Sequence, residues 1–179
     1  METRRFLKEH PDFKVSVNVS WRQFAQEKFV QDVCDILEEE YFPASNLILE
    51  LTEHCQALDE QILKWHIAEF HKYGVGISAD DFGSGYSSLN MLKDIKMDTI
   101  KLDMGFLRKT RNNERSMSIV SNVIHLSKRL GMEVVTEGVE TREQVDALTM
   151  MGCDVFQGYY FAKPMSVWDY EDKYISTEG

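Results

Sequence analysis

The chain has 179 residues, 43% of them hydrophobic, enough for one globular domain with a substantial core. Its formal net charge of −10, with no basic stripe, argues against a DNA or RNA polymer as partner, but not against a small phosphate ester neutralised by metal ions. No apolar run is long enough to span a bilayer and no signal-peptide pattern opens the chain, so a cytoplasmic location is expected.

The opening METRRFLKEHPDFK is charged and reads as the exposed tail of a helix. KVSVNVS (14–20) alternates Val15, Val17 and Val19 with Ser16, Asn18 and Ser20, a strand pattern. Ser20 and Gln23 then have capping-box spacing for a helix start. NLILELTE (46–53) is the second strand, and a helix beginning after Leu58 should stop at Gly74. VGISADD (75–81) and TIKLD (99–103) follow. A helix after Arg115, including NVIHLSKRLG, runs toward Gly131 with apolar residues at core spacing. EVVTEGVE (133–140) is the fifth strand, and Thr141 with Gln144 caps a helix that ends near Gly152. DVFQGYYF (154–161) is the sixth. Strands alternating with helices predict βα units around a parallel sheet. Cys34, Cys55 and Cys153 lack paired spacing and read as reduced thiols, and the five histidines, without HxH or HxxxH spacing, read as structural.

Asn18, Glu50, Asp80, Lys101, Glu137 and Gln157 fall at or just beyond the C-terminal ends of these six strands, 32, 30, 21, 36 and 20 residues apart. One such group would be a turn residue. Six in succession, one per βα unit, point to the mouth of a βα barrel, where strand ends converge. Asn18, Glu50, Asp80, Asp81 and Glu137 offer hard oxygen donors suited to Mg²⁺ or Mn²⁺, and more of them than a single ion needs. Two ions clamping a phosphoryl displacement would use the surplus, with Lys101 placed to hold an attacking water or a developing phosphoryl charge. In SADDFGSGYSSL (78–89) the paired aspartates would then hold metal, and the glycines would let the next loop move over it.

The segments NVSWRQF (18–24), ELTE (50–53), DDFGSGYSSL (80–89), IKLD (100–103), EGVE (137–140) and QGYYFAKP (157–164) together resemble the bacterial EAL-domain cyclic di-GMP phosphodiesterases, in order and spacing, over nearly the whole chain. The resemblance implies a TIM-like (β/α) barrel that hydrolyses cyclic di-GMP to linear pGpG with two Mg²⁺ or Mn²⁺ ions in second-messenger signalling. It implies Asn18, Glu50 and Asp80 around the first metal and Asp80, Asp81 and Glu137 around the second. Lys101 would hold the nucleophilic water, Glu137 would assist as base, and Gln157 would contact substrate. Glu53 would anchor the DDFGSG loop, with Asp103 and Glu140 as supporting carboxylates. Family members commonly form homodimers through the region after DDFG, here YSSLNMLKDIKM (86–97) with Tyr86, Leu89, Met91, Leu92 and Met97.

Ser84, Thr136 and Ala162-Lys163 depart from the family pattern at Thr, Ala and Gly-Arg respectively, and none removes a ligand. The Glu-Ala-Leu motif itself is absent, and six strands fall short of the eight strands and roughly 250 residues of a full barrel. Residues 1–179 are therefore expected to be the C-terminal portion of an EAL domain, truncated to about the last six βα units, with doubtful activity alone. The parent could carry an upstream sensory or GGDEF domain, or a membrane anchor. The alternative is a catalytically incompetent module that binds cyclic di-GMP or a protein partner. An unrelated metal-dependent barrel lyase is a more remote third reading.

Overall fold

A computed structural model describes residues 7, 10–52, 59–82, 92, 95–103 and 114–174, with side chains of the last stretch from Met117 onward. Six strands form one sheet: β1 (Val15–Val19), β2 (Leu47–Leu51), β3 (Gly76–Phe82), β4 (Thr99–Asp103), β5 (Glu133–Glu137) and β6 (Val155–Phe156). Their order in the sheet is their order in the chain, and every pairing is parallel. The helices are α1 (Trp21–Phe24), α2 (Phe29–Glu39), α3 (Glu60–Tyr73), α4 (Glu114–Arg129), α5 (Arg142–Met150) and α6 (Val167–Tyr174).

The predicted helix ends follow from local chemistry. Ser20 and Thr141 each accept from the backbone N–H three residues on, while Gln23 and Gln144 reach back to the cap N–H. Gly74 ends α3 at φ 88, a left-handed conformation that a side chain would strain.

One sheet face carries Val19, Leu49, Leu51, Ile77, Ala79, Ile100, Leu102 and Val134, all buried under the helices. An aromatic group of Phe24, Phe29 and Phe70 joins α1, α2 and α3, with ring centroids 5.7–6.1 Å apart. His66 sits edge-on to Phe24 at 5.2 Å, and burial lowers its pKa. Opposite Ala79 and Leu102, the other sheet face turns polar toward the C-terminal ends of the strands. A strand buried on both faces is usually apolar throughout, so this change of character needs a cause.

The opposite end of the sheet is fastened by residues just before the even-numbered strands. Asn46 Nδ2 donates to the Pro11 and Phe13 carbonyls, both at 2.7 Å, ahead of β1. Asp98 Oδ2 accepts the Ile77 N–H of β3 at 2.8 Å and meets His71 Nε2 at 2.8 Å. Asp154 Oδ2 accepts the Val134 N–H of β5 at 3.0 Å, and its other oxygen bonds Lys128 on α4. Each clamp ties the start of one strand to the start of the next. At Asp154, burial opposes the charged form, but Lys128 and the Val134 N–H outweigh it and hold the carboxyl below its usual range. A depressed carboxyl adds stability above its unfolded pKa, which is lost as pH falls through the folded one. Asp154→Ala should therefore destabilise by about 1–3 kcal/mol near neutral pH, with the gap closing below roughly pH 4. Urea unfolding at the two pH values checks this; a gap that persists in acid contradicts it.

Candidate metal and phosphate site

At the polar end, Lys101 on the central strand β4 is 7% exposed, a burial that an ammonium tolerates only when paired. Its Nζ lies 2.7 Å from Glu50 Oε2 on β2, 2.6 Å from Glu137 Oε1 on β5, and 3.5 Å from Asp80 Oδ1 on β3. Four strands thus deliver the four charged groups predicted to converge. Burial alone would lower the Lys101 pKa, but its bonds to Glu137 and Glu50 prevail and raise it well above its ordinary value. Burial raises the Glu137 pKa; Lys101 opposes this, and the Asp80 and Glu50 charges reinforce it. One cation among these carboxylates leaves negative charge in excess.

The adjacent aspartates are joined by a distortion. Strict alternation would send Asp80 and Asp81 to opposite faces. The β3–β4 register shifts between Ala79 and Phe82, and Asp81 adopts φ 54, outside the strand range. The Asp81 N–H bonds Asp80 Oδ1 at 3.0 Å. The turn brings one ligand oxygen each from Asp80, Asp81 and Glu137 within 4.8 Å of one another. Three carboxylate oxygens at this spacing fit a hard divalent cation. Among the described residues this is the one such cluster of His, Cys, Asp and Glu.

The remaining predicted residues are spread around this centre. Asn18, exposed on β1, pairs in register with Glu50, next to the centre but on the sheet edge. Asp103 pairs in register with Glu137. Glu140 is exposed, and its backbone N–H bonds Gln144 Oε1 at 2.7 Å as part of the α5 cap. Gln157 is exposed just past β6, its backbone bonded to Thr136 O and the Val139 N–H. Glu53, Ser84 and most of the DDFGSG loop lie outside the described residues. Thr136 does not touch the site. It is fully buried on the opposite face from Glu137, with Oγ1 2.9 Å from Cys153 Sγ, so that departure is accommodated by a thiol partner. Sequence patterning did not single out Val139 and Gly158, which join the loops after β5 and β6; the glycine beside Gln157 was the available signal.

Similarities to known proteins bear on this arrangement. A family profile described as "EAL domain" matches residues 1–164. The bifunctional diguanylate cyclase/cyclic di-GMP phosphodiesterase MucR of Pseudomonas aeruginosa is 38% identical over 156 residues, covering 87% of this chain and 23% of MucR. The chain thus spans about a quarter of that relative's length. The structure of the PaMucR phosphodiesterase in complex with c-di-GMP superposes with a TM-score of 0.86 at 36% identity, covering 94% of this chain and 68% of that one. A manganese/cy-diGMP complex of Klebsiella pneumoniae BlrP1 gives a TM-score of 0.79 at 27% identity, covering 88% and 41%.

Proposed function

This chain belongs to the EAL domain family, and from that premise we propose that it forms the catalytic face of a metal-dependent phosphodiesterase that opens cyclic di-GMP to linear pGpG. The observation that carries this reading is the buried Lys101 held between Glu50 and Glu137, beside the Asp80–Asp81–Glu137 cluster. Asp80, Asp81 and Glu137 would hold one Mg²⁺ or Mn²⁺ ion, and Asn18, Glu50 and Asp80 a second. The ions supply charge neutralisation at the phosphate. Lys101 directs its ammonium at the water that attacks phosphorus, and Glu137, with its raised proton affinity, accepts a proton from that water. The new P–O bond forms as the bond to the departing ribose oxygen breaks, and the proton goes to that leaving oxygen. Gln157, at the rim, orients the dinucleotide. Glu53, Asp103 and Glu140 would be supporting carboxylates, as the family resemblance implies.

Chromatographic detection of pGpG after incubation of the full-length parent protein with cyclic di-GMP and Mn²⁺ tests the reading. Product is expected with metal and not with excess EDTA. Tight nucleotide binding without product would instead favour a regulatory binding module.

The raised Glu137 gives an independent check. A carboxyl whose folded pKa is raised adds stability in acid, and this is lost as pH rises through that value. At neutral pH the metal-free cluster is therefore under repulsion that a bound cation relieves. Mn²⁺ should raise Tm, with the increment shrinking as the pH is lowered and Glu137 takes up its proton. Equal increments at neutral and acid pH would contradict this assignment.

A homodimer through residues 86–97 is also proposed. Leu92 and Met97 are buried in this chain's own core, while Tyr86, Leu89 and Met91 lie outside the described residues. Sedimentation at micromolar concentration should give a dimer; a monomer alone would refute it. No described helix is long and apolar enough to cross a membrane.

A further inference from the structure

The loop that carries Gln157 is pressed against the loop that follows Glu137. Gln157 N donates to Thr136 O at 2.8 Å, Val139 N donates to Gln157 O at 3.0 Å, and Tyr160 N donates to Val139 O at 3.0 Å. Gly158 lies inside this ladder. A Cβ built on it would stand 2.1 Å from Val139 O, 2.3 Å from Val139 N and 2.8 Å from Val139 C. All three obstacles are backbone atoms, so no rotamer change can make room.

The two sides do not yield equally. Val139 is fully buried and follows β5, which is paired along its length with β4. Gln157 follows β6, a two-residue strand at the sheet edge. Any side chain at 158 would therefore move the 157–160 loop and leave Glu137 where it is.

We infer that Gly158 is a positioning residue: bare backbone contact with Val139 sets Gln157 at the mouth of the site, and so governs dinucleotide binding independently of the metal cluster. This rests on the phosphodiesterase reading above, which gives Gln157 its substrate contact. The contact also explains why a glycine follows Gln157 in a segment otherwise rich in aromatic residues, Gly158-Tyr159-Tyr160-Phe161.

The test compares Gln157→Ala, Gly158→Ala and the double variant by cyclic di-GMP affinity in the presence of Mn²⁺, and by affinity for Mn²⁺ alone. Gly158→Ala should weaken nucleotide binding by on the order of tenfold or more, since displacements of about 1 Å at a site carry large costs. Mn²⁺ affinity should stay within about twofold, and the double variant should bind no more weakly than the weaker single variant, because both act through one side chain. The amides of Val139 and Tyr160 should lose exchange protection together in Gly158→Ala. Unchanged nucleotide affinity in Gly158→Ala beside a damaging Gln157→Ala overturns this inference alone. A neutral Gln157→Ala removes the substrate contact on which it rests. A fall in Mn²⁺ affinity in step with nucleotide affinity places the displacement at Glu137 and also overturns it. Should Gly158→Ala fail to fold, hydrogen exchange in the unaltered chain decides: the Val139 and Tyr160 amides must be protected to the same degree, and unequal or absent protection refutes the ladder as a unit.

Discussion

Asp80→Asn is expected to reduce cyclic di-GMP hydrolysis by on the order of 10³-fold or more while leaving the fold intact. Asp80 is the ligand that both proposed ions would share, 3.5 Å from Lys101 and within the Asp80–Asp81–Glu137 oxygen cluster. Asparagine keeps an oxygen that can still accept the Asp81 N–H, now bonded at 3.0 Å, so the turn in β3 has no reason to relax. What it removes is a full negative charge from a shared ligand. Mn²⁺ binding should weaken markedly, and the Tm gained from added metal should shrink with it. Electron paramagnetic resonance of Mn²⁺, hydrolysis rates and thermal melts on one preparation separate these effects. Wild-type turnover by Asp80→Asn in the full-length parent protein, or by the unaltered parent in excess EDTA, would end the two-metal reading.

The parts of this site legible in sequence were those fixed by strand alternation. Glu50, Asp80, Lys101 and Glu137 fall on the inward face near the strand ends, and the structure brings them together. Alternation could not place Asp81, because its position depends on a register shift and a positive φ that no period-two pattern encodes. The residue pattern predicts a sixth strand over 154–161, but only Val155–Phe156 pairs as strand. Beyond Phe156 the backbone keeps one bond, from Gln157 N to Thr136 O, and otherwise bonds to Val139, a residue 18 positions before Gln157 and outside any local pattern. Asn46, Asp98 and Asp154 carry no signal in the sequence for the same reason: each acts on the neighbouring strand or its approach, so its role depends on the register. Of the residues read as a dimer surface, Leu92 and Met97 turned inward, since apolar spacing alone cannot tell a core face from an interface.

Lys101→Ala should separate catalysis from binding. In the folded chain Lys101 is tied to Glu50 at 2.7 Å and Glu137 at 2.6 Å, and these bonds hold its pKa above its ordinary value and favour the ammonium. The role proposed for it is to present positive charge where the water and phosphoryl oxygens develop charge in the transition state. An interaction made mainly there lowers kcat when lost and changes ground-state affinity little. A fall of roughly 10²–10³-fold in kcat is expected, with a much smaller change in cyclic di-GMP affinity. Metal binding supplies the control. Removing the ammonium leaves Glu50 and Glu137 without their cation, so the metal-free variant should lose stability, by about 3–5 kcal/mol if the carboxylates stay charged. Mn²⁺ should restore much of that loss, and its affinity should hold or increase, because a competing positive charge has gone. Three measurements on one variant thus give three different signs: lower kcat, near-constant nucleotide affinity, and metal affinity that does not fall. If Lys101→Ala instead raised KM with kcat unchanged, the ammonium would be a substrate contact. If it lost Mn²⁺ as well, Lys101 would be organising the ligands and not the water.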